Sequence, residues 1–278
     1  MRFAYRIVNV FTVDGDRLSG NPLCVFEDGR GLSDARMQAL ALQLNLSETT
    51  FVLPSERATA RVRIFTPAFE MPFAGHPTLG TAHVVRALRG GDRVTLEMRA
   101  GLVEVRAAGD TWTLRAARVP TTRAPGASRA ELARMLALPE AAIAGEPLWV
   151  NTGSDQLVIP LRSADDVRAA VPVPELIERH ATSEARGEGL AYAWSPEGVV
   201  RFFFTKHGSV IEDPATGSAA ANLGGYFVAT GRALPIAMTL RQGDAVGRPS
   251  RLNLHVTAER HIEVSGDVIE LGGGAFEL

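Results

Sequence analysis

Two segments about half the chain apart carry the same kinds of residue in the same order. The first is Val62-Arg63-Ile64-Phe65-Thr66, then Glu70-Met71-Pro72-Phe73-Ala74-Gly75-His76. The second is Val200-Arg201-Phe202-Phe203-Phe204-Thr205, then Glu212-Asp213-Pro214-Ala215-Thr216-Gly217-Ser218. Each reads as a strand, a Glu-x-Pro-x-x-Gly loop and a helix of small residues. A chain of 278 residues with this echo is expected to be two related halves rather than two unrelated domains. The spacing between strand and loop differs in the two copies and is the weak point of the match.

The rest of the pattern is mostly strand. Residues 60–66, 95–99, 102–106 and 111–115 alternate apolar and polar and make an antiparallel meander. The second half continues with strands over 148–150, 156–161, 190–194, 199–205, 251–256, 261–264 and 268–271. Helices are few. Ser33 caps one over Asp34 to Leu44, Pro77 opens and Gly90 closes a second, and Ser128 with Glu131 forms a capping box for a third that stops at Pro139. Ser163 starts a short fourth, a broken helical stretch runs from Pro174 to His180, and Ser218 starts a last one closed by Gly231. Strands with one long helix per half indicate the α+β class. The Pro/Arg/Ala/Gly-rich stretch Val119 to Ala127 is the candidate linker. It divides a first domain, 1–118, from a second, 119–265, with the C-terminal strand 266–278 completing the first.

Composition excludes several functions. A single cysteine, Cys24, supplies no internal disulfide, no Cys-Cys zinc knuckle and no two-thiol catalytic pair, and points to a reducing, cytoplasmic setting. A net charge of −2 gives no reason to expect nucleic acid or an anionic membrane as partner. No apolar run approaches the ~20 residues of a membrane span, and the N-terminus reads as strand rather than signal peptide. Gly-x-Gly-x-x-Gly, Walker A and Gly-x-Ser-x-Gly patterns are absent. The histidines His76, His83, His180, His207, His255 and His261 show no His-Glu-x-x-His spacing, so no metal is expected. Lys206 beside His207 reads as a surface loop rather than a Schiff-base site.

The echoed loops carry the chemistry. Each delivers a helix start, at Gly75-His76-Pro77-Thr78 and at Thr216-Gly217-Ser218-Ala219. The first N–H groups of a helix lack internal partners, and the helix dipole adds about half a positive charge there. Two such ends suit a carboxylate or another anion; small residues for close helix packing are the plainer reading of either loop alone. A positive helix end would keep His76 neutral, as base, acid or hydrogen-bond donor, or it is simply a packed imidazole. Asp213 is a proton carrier or a turn residue before Pro214. Glu48, in Ser47-Glu48-Thr49-Thr50, leads into an apolar strand. Partial burial there would raise its pKa and suit it to proton shuttling; otherwise it belongs to a surface connection.

These residues resemble the PhzF family, whose fold is like that of diaminopimelate epimerase. The resemblance runs through Gly20-Asn21-Pro22, Asn45-Leu46-Ser47-Glu48-Thr49-Thr50-Phe51-Val52, Arg63-Ile64-Phe65-Thr66-Pro67 and Pro72-Phe73-Ala74-Gly75-His76-Pro77-Thr78-Leu79-Gly80. It continues through Asn151-Thr152-Gly153, Glu212-Asp213-Pro214-Ala215-Thr216-Gly217-Ser218-Ala219-Ala220 and Gly247-Arg248-Pro249-Ser250. It implies two pseudo-symmetric α+β domains, each a curved, mostly antiparallel sheet around a central helix, with substrate in the cleft between them. It implies a cofactor-independent isomerase that moves a proton on a small carboxylated cyclic or unsaturated metabolite, and a homodimer. Glu48 inherits the general acid/base role, and His76 and Asp213 inherit substrate binding and proton relay. Gly75, Pro77, Thr216, Gly217, Ser218 and Ala219 form the implied substrate-binding set. Related epimerases place a thiol at each helix start. Here His76 and Ser218 occupy those regions, so two-thiol racemisation is not expected. Phe69 departs from the family, which usually has a polar residue, often Asn, before the Glu. An apolar or narrower pocket is expected if that position faces substrate. The alternatives are an epimerase or racemase without thiols, and a small-molecule binding protein that has lost catalysis.

Overall fold

Three short helices begin where a serine can satisfy their first N–H groups. The computed structural model, which describes residues 1–116, 118–206 and 208–278, caps α1 (Asp34–Leu44) with Ser33 and α3 (Arg129–Met135) with Ser128. It caps α4 (Ala164–Ala169) with Ser163. Ser128 and Glu131 complete the expected capping box. The helix they start ends at Met135, before Pro139, because the chain turns at Ala137, which has a φ of +53°. His207 lies outside the described residues.

The chain forms two units, Met1–Arg115 with Ser265–Leu278, and Ala116–Val264. The first unit contains β1 (Arg2–Thr12), β2 (Asn21–Phe26), β3 (Thr49–Leu53), β4 (Ala60–Phe65), β5 (Glu70–Met71), β6 (Arg93–Met98), β7 (Gly101–Ala108) and β8 (Thr111–Arg115). Its last strand is the C-terminal part of β17 (Ile262–Glu277), which starts in the second unit. The ladder runs β1-β2-β3-β4-β6-β7-β8-β17, and β17 pairs back onto β1, so the sheet closes on itself and leaves no open edge along that path.

Helix α2 (Gly75–Arg89) lies against the strands all round this closed sheet and buries His76, Thr78, Leu79, Thr81, Ala82, Val84 and Val85. Gly80 permits the approach: a Cβ there would stand 2.7 Å from Leu23 Cδ2 and 2.9 Å from Val10 Cγ2. The helix starts two residues before Pro77, and Gly90 closes it as expected. On the outer face α1 packs Met37, Leu40 and Ala41 against Cys24, Phe26, Phe51 and Phe65. Cys24 is thus a small core residue whose thiol burial pushes up to about 12.

The second unit has a six-stranded sheet in the order β14 (Ser209–Asp213), β13 (Val200–Lys206), β12 (Leu190–Trp194), β11 (Asp155–Pro160), β10 (Leu148–Asn151) and β9 (Thr121–Arg123). Strand β9 lies inside the stretch read from sequence as a linker, since Thr121–Arg123 find a ladder partner in β10. Strands β15 (Ile236–Gln242) and β16 (Ser250–Val256) pair beside the start of β17. Strand alternation sorts the two faces. Ala191 and Ala193 join Leu132, Met135 and Ile177 under α3 and α5 (Pro174–His180), whereas the Trp194 ring meets Tyr226 and Phe227 of α6 (Gly217–Ala229). The helix α6 packs on β10, β11 and β16. Among the described residues no helix is long and apolar enough to cross a membrane.

The sequence echo is one construction built in each unit. Arg63 on β4 makes a two-point ion pair with Glu70 on β5, both bonds 2.8 Å, and lies over the Phe65 ring. Arg201 on β13 does the same with Glu212 on β14, at 3.1 and 2.6 Å, over Phe203. The ladder opposes Phe65 to Glu70 and Phe203 to Glu212. Strand pairing continues past Phe203 to Lys206 and Ser209 but stops at Phe65, which explains the unequal spacing in the sequence.

Leu79, 1% exposed on α2, tests the enclosed-helix core. Leu79→Ala is expected to lower unfolding free energy by about 2–5 kcal/mol. Leu42→Ala on the exposed face of α1 should stay within about 0.5 kcal/mol. Urea unfolding followed by Trp112 fluorescence compares them, and equal losses would contradict this core.

Candidate functional site

The two central helices start differently from the serine-capped ones. Ala74 precedes α2 and offers no side-chain cap, and Thr216 before α6 makes no capping bond to the helix. In α2 the first backbone bond within the helix is from Thr78 N–H to the Ala74 carbonyl, and Pro77 has no N–H. The N–H groups of Gly75 and His76 are therefore left over at the start. In α6 Ala219 and Ala220 donate to the Thr216 carbonyl, which leaves those of Gly217 and Ser218. His76 and Ser218 are each the second residue of their helix. The side chain that each unit presents at its helix start is thus an imidazole in one and a hydroxyl in the other.

In the first unit α1 ends at Asn45, which turns the chain in the left-handed region at a φ of +51°. The chain then passes Ser47 and Glu48 and enters β3. Glu48 is partly buried, and its Oε2 lies 3.5 Å from His76 Nε2. The imidazole is buried and hydrogen-bonded to the Pro22 carbonyl, and burial pushes its pKa from 6.5 to about 3 against the opposing effect of that bond. Burial, rather than the helix end invoked from sequence, is the main cause of its neutrality.

Nε2 has no hydrogen-bond partner, so the Pro22 bond belongs to Nδ1. A carbonyl only accepts, so Nδ1 carries the hydrogen and Nε2 turns a lone pair toward Glu48. A carboxyl proton on Glu48 would find an acceptor there, and the long apo distance leaves room to tighten around a ligand. Thr50 and Thr81 share a buried hydroxyl bond of 2.8 Å that ties β3 to α2.

In the second unit Asp213 closes β14 and takes the Thr216 hydroxyl at 2.6 Å. Gln242 Nε2 donates to the Thr216 hydroxyl and to the Asp213 carbonyl, while its Oε1 accepts from Thr216 N–H. Ser218 accepts from Gln156 Nε2 at 3.0 Å, and Ala219 is fully buried behind it. Of the residues singled out in the sequence, Glu48, Gly75, His76 and Pro77 thus gather in the first unit. Asp213, Thr216, Gly217, Ser218 and Ala219 gather in the second. Phe69 is 41% exposed at the tip of the turn between β4 and β5, held there by its bonds to Thr66.

Sequence reading missed Pro22, Gln156, Gln242 and Asn222 as supporting groups. Gln156 and Asn222 left a signal: Gln156 leads directly into the apolar run Leu157 to Leu161, and Asn222 is a polar residue in a helix of mostly small and apolar residues. His83, seven residues further along α2, accepts at Nδ1 from Trp112 Nε1 at 3.3 Å. Among the described residues no three His, Cys, Asp or Glu side chains are placed to hold a metal.

The comparisons with known proteins agree over nearly the whole chain. Residues 8–275 match the PhzC-PhzF family, described as phenazine biosynthesis-like protein. An uncharacterized isomerase of Pasteurella multocida is 38% identical, covering 98% of this chain and 93% of its own. A trans-2,3-dihydro-3-hydroxyanthranilate isomerase of Pseudomonas aeruginosa is 36% identical over 98% of this chain and 96% of its own. The crystal structure of a Bacillus anthracis PhzF-family protein shares the fold, with a TM-score of 0.86 over all of both chains at 23% identity.

A buried neutral histidine makes stability pH-dependent in a definite direction. Above about 6.5 His76 is neutral folded or unfolded and contributes nothing. Below that, the unfolded chain takes up a proton that the folded chain refuses until about 3, so stability falls as the pH drops through this window. His76→Gln should remove this component. The gap between wild-type and variant unfolding free energies should shift by up to about 1.4 kcal/mol per pH unit below pH 6. Parallel pH curves in urea titrations would contradict the neutral assignment.

Proposed function

The chain belongs to the PhzC-PhzF family of phenazine biosynthesis-like proteins, and we propose that it isomerises a small carboxylated cyclic or unsaturated metabolite by proton transfer through Glu48. The observation that carries this reading is the Glu48 carboxyl beside the lone pair of a buried, neutral His76. Ionised Glu48 takes a proton from a carbon made acidic by neighbouring unsaturation. The electron pair stays in the conjugated system, and the protonated carboxyl returns its proton to another carbon of that system. Atoms and charge balance, and the product is an isomer. His76 Nε2 holds the carboxyl proton between the two transfers, and the Pro22 carbonyl keeps the ring in the tautomer that can do so.

The uncapped N–H groups of Gly75 and His76 bind a polar or anionic group of the substrate, with Pro77 setting the first turn. The same role is assigned to Gly217 and Ser218, packed over Ala219 and braced by Thr216. Asp213, which holds the Thr216 hydroxyl, is the second proton-handling group. The relatives named as trans-2,3-dihydro-3-hydroxyanthranilate isomerases make that ring acid the first compound to assay.

Turnover in heavy water tests the assignment. Glu48→Gln should fold normally and lose roughly 10²- to 10⁴-fold in rate, along with solvent deuterium incorporation. Wild-type turnover in that variant would overturn it.

A further inference from the structure

The direction of the hydrogen bond at Ser218 is dictated by the backbone through two buried amides. A backbone N–H only donates and a backbone carbonyl only accepts. Thr152 N–H lies 2.9 Å from Asn222 Oδ1, and the Ser154 carbonyl lies 2.7 Å from Asn222 Nδ2. The Asn222 amide therefore has one orientation. Its Nδ2 also donates to Gln156 Oε1 at 2.7 Å, so the Gln156 oxygen faces Asn222 and its NH2 faces Ser218. Reversing Gln156 would set two NH2 groups against each other. Both amides are buried, at 1% exposure for Gln156 and 0% for Asn222, where an unpaired donor is costly. Ser218 Oγ must then accept, and its own proton points elsewhere. Among the described residues none accepts it.

We propose that Gln156 and Asn222 are positioning residues that make the Ser218 hydroxyl a standing donor to a ligand carboxylate. The proposal rests on reading Ser218 as a substrate-binding group. A hydroxyl with a free rotor can greet a donor or an acceptor. This one has one of its two lone pairs taken and its proton turned away from Gln156, and the leftover N–H groups of Gly217 and Ser218 are donors as well. The start of α6 thus presents the Ser218 O–H and two backbone N–H groups against one remaining hydroxyl lone pair, a set that favours a carboxylate over a ligand amine.

Calorimetric titration with 3-hydroxyanthranilate, an aromatic carboxylate with no hydrogen to shift, tests this on the full chain. Ser218→Ala should weaken binding roughly 10- to 100-fold. Gln156→Met should lose most of that factor, and the double variant should bind no more weakly than Ser218→Ala alone. Should Gln156→Met fail to fold, Gln156→Asn, too short to bridge Asn222 and Ser218, is expected to show the same coupling. Thr152→Val removes one donor to Asn222 but keeps the backbone N–H that orients it, so its affinity should stay within about threefold. Losses that multiply would overturn the proposal, as would a Thr152→Val loss equal to that of Gln156→Met, or a wild type that does not bind. Affinity is read without turnover, so the Glu48 assignment stands or falls separately.

Discussion

A helix enclosed by strands along its length can meet other molecules only at its ends. Helices α2 and α6 are built this way, and the constraint explains their composition. Gly80 lets α2 approach Leu23 and Val10, and Gly225 lets α6 approach Val150, where a Cβ would stand 2.9 Å from the Val150 Cγ1. Three outer helices, α1, α3 and α4, are capped by serine and α5 opens on Pro174, but the two enclosed helices keep their first N–H groups unspent. Backbone chemistry alone thus gives each unit a first turn rich in donors.

The repeated Arg–Glu pair holds the approach to each first turn. In both copies the arginine is gripped at two points and stacked on a phenylalanine two residues on, and the partner glutamate precedes the helix by five positions. In the second unit one partner alone would leave a largely buried charge without its ion pair, whereas in the first Arg63 also meets Asp34 at 2.6 Å. At the helix start itself the two units differ in the side chain they present. The second helical residue is a buried neutral imidazole facing a carboxyl in one, and a hydroxyl aimed by two amides in the other. Neither is a thiol, so the proposed proton transfer is assigned to other groups.

Much of this was legible in the sequence because it depends on local rules. Ser33, Ser128 and Ser163 mark their helices by capping, and Glu-x-Pro-x-x-Gly marks both loops. The return of the C-terminal strand to the first unit was expected, but its partner was not: β17 pairs with β1 and closes the sheet. Thr121–Arg123 became a strand only because β10 supplies its ladder. The Pro22 carbonyl beneath His76 is invisible to any residue-type rule, since every residue has one. The neutrality of His76 was expected from a helix end, yet burial causes most of it, and burial is a property of the whole packed unit.

The protonation of the His76 ring decides the matter most directly. Nitrogen-15 spectra of the histidines at neutral pH, assigned with His76→Gln, should show His76 with hydrogen on Nδ1 and a bare Nε2. A hydrogen on Nε2, or a fully protonated ring, would remove the acceptor that Glu48 needs and contradict the proton-transfer scheme.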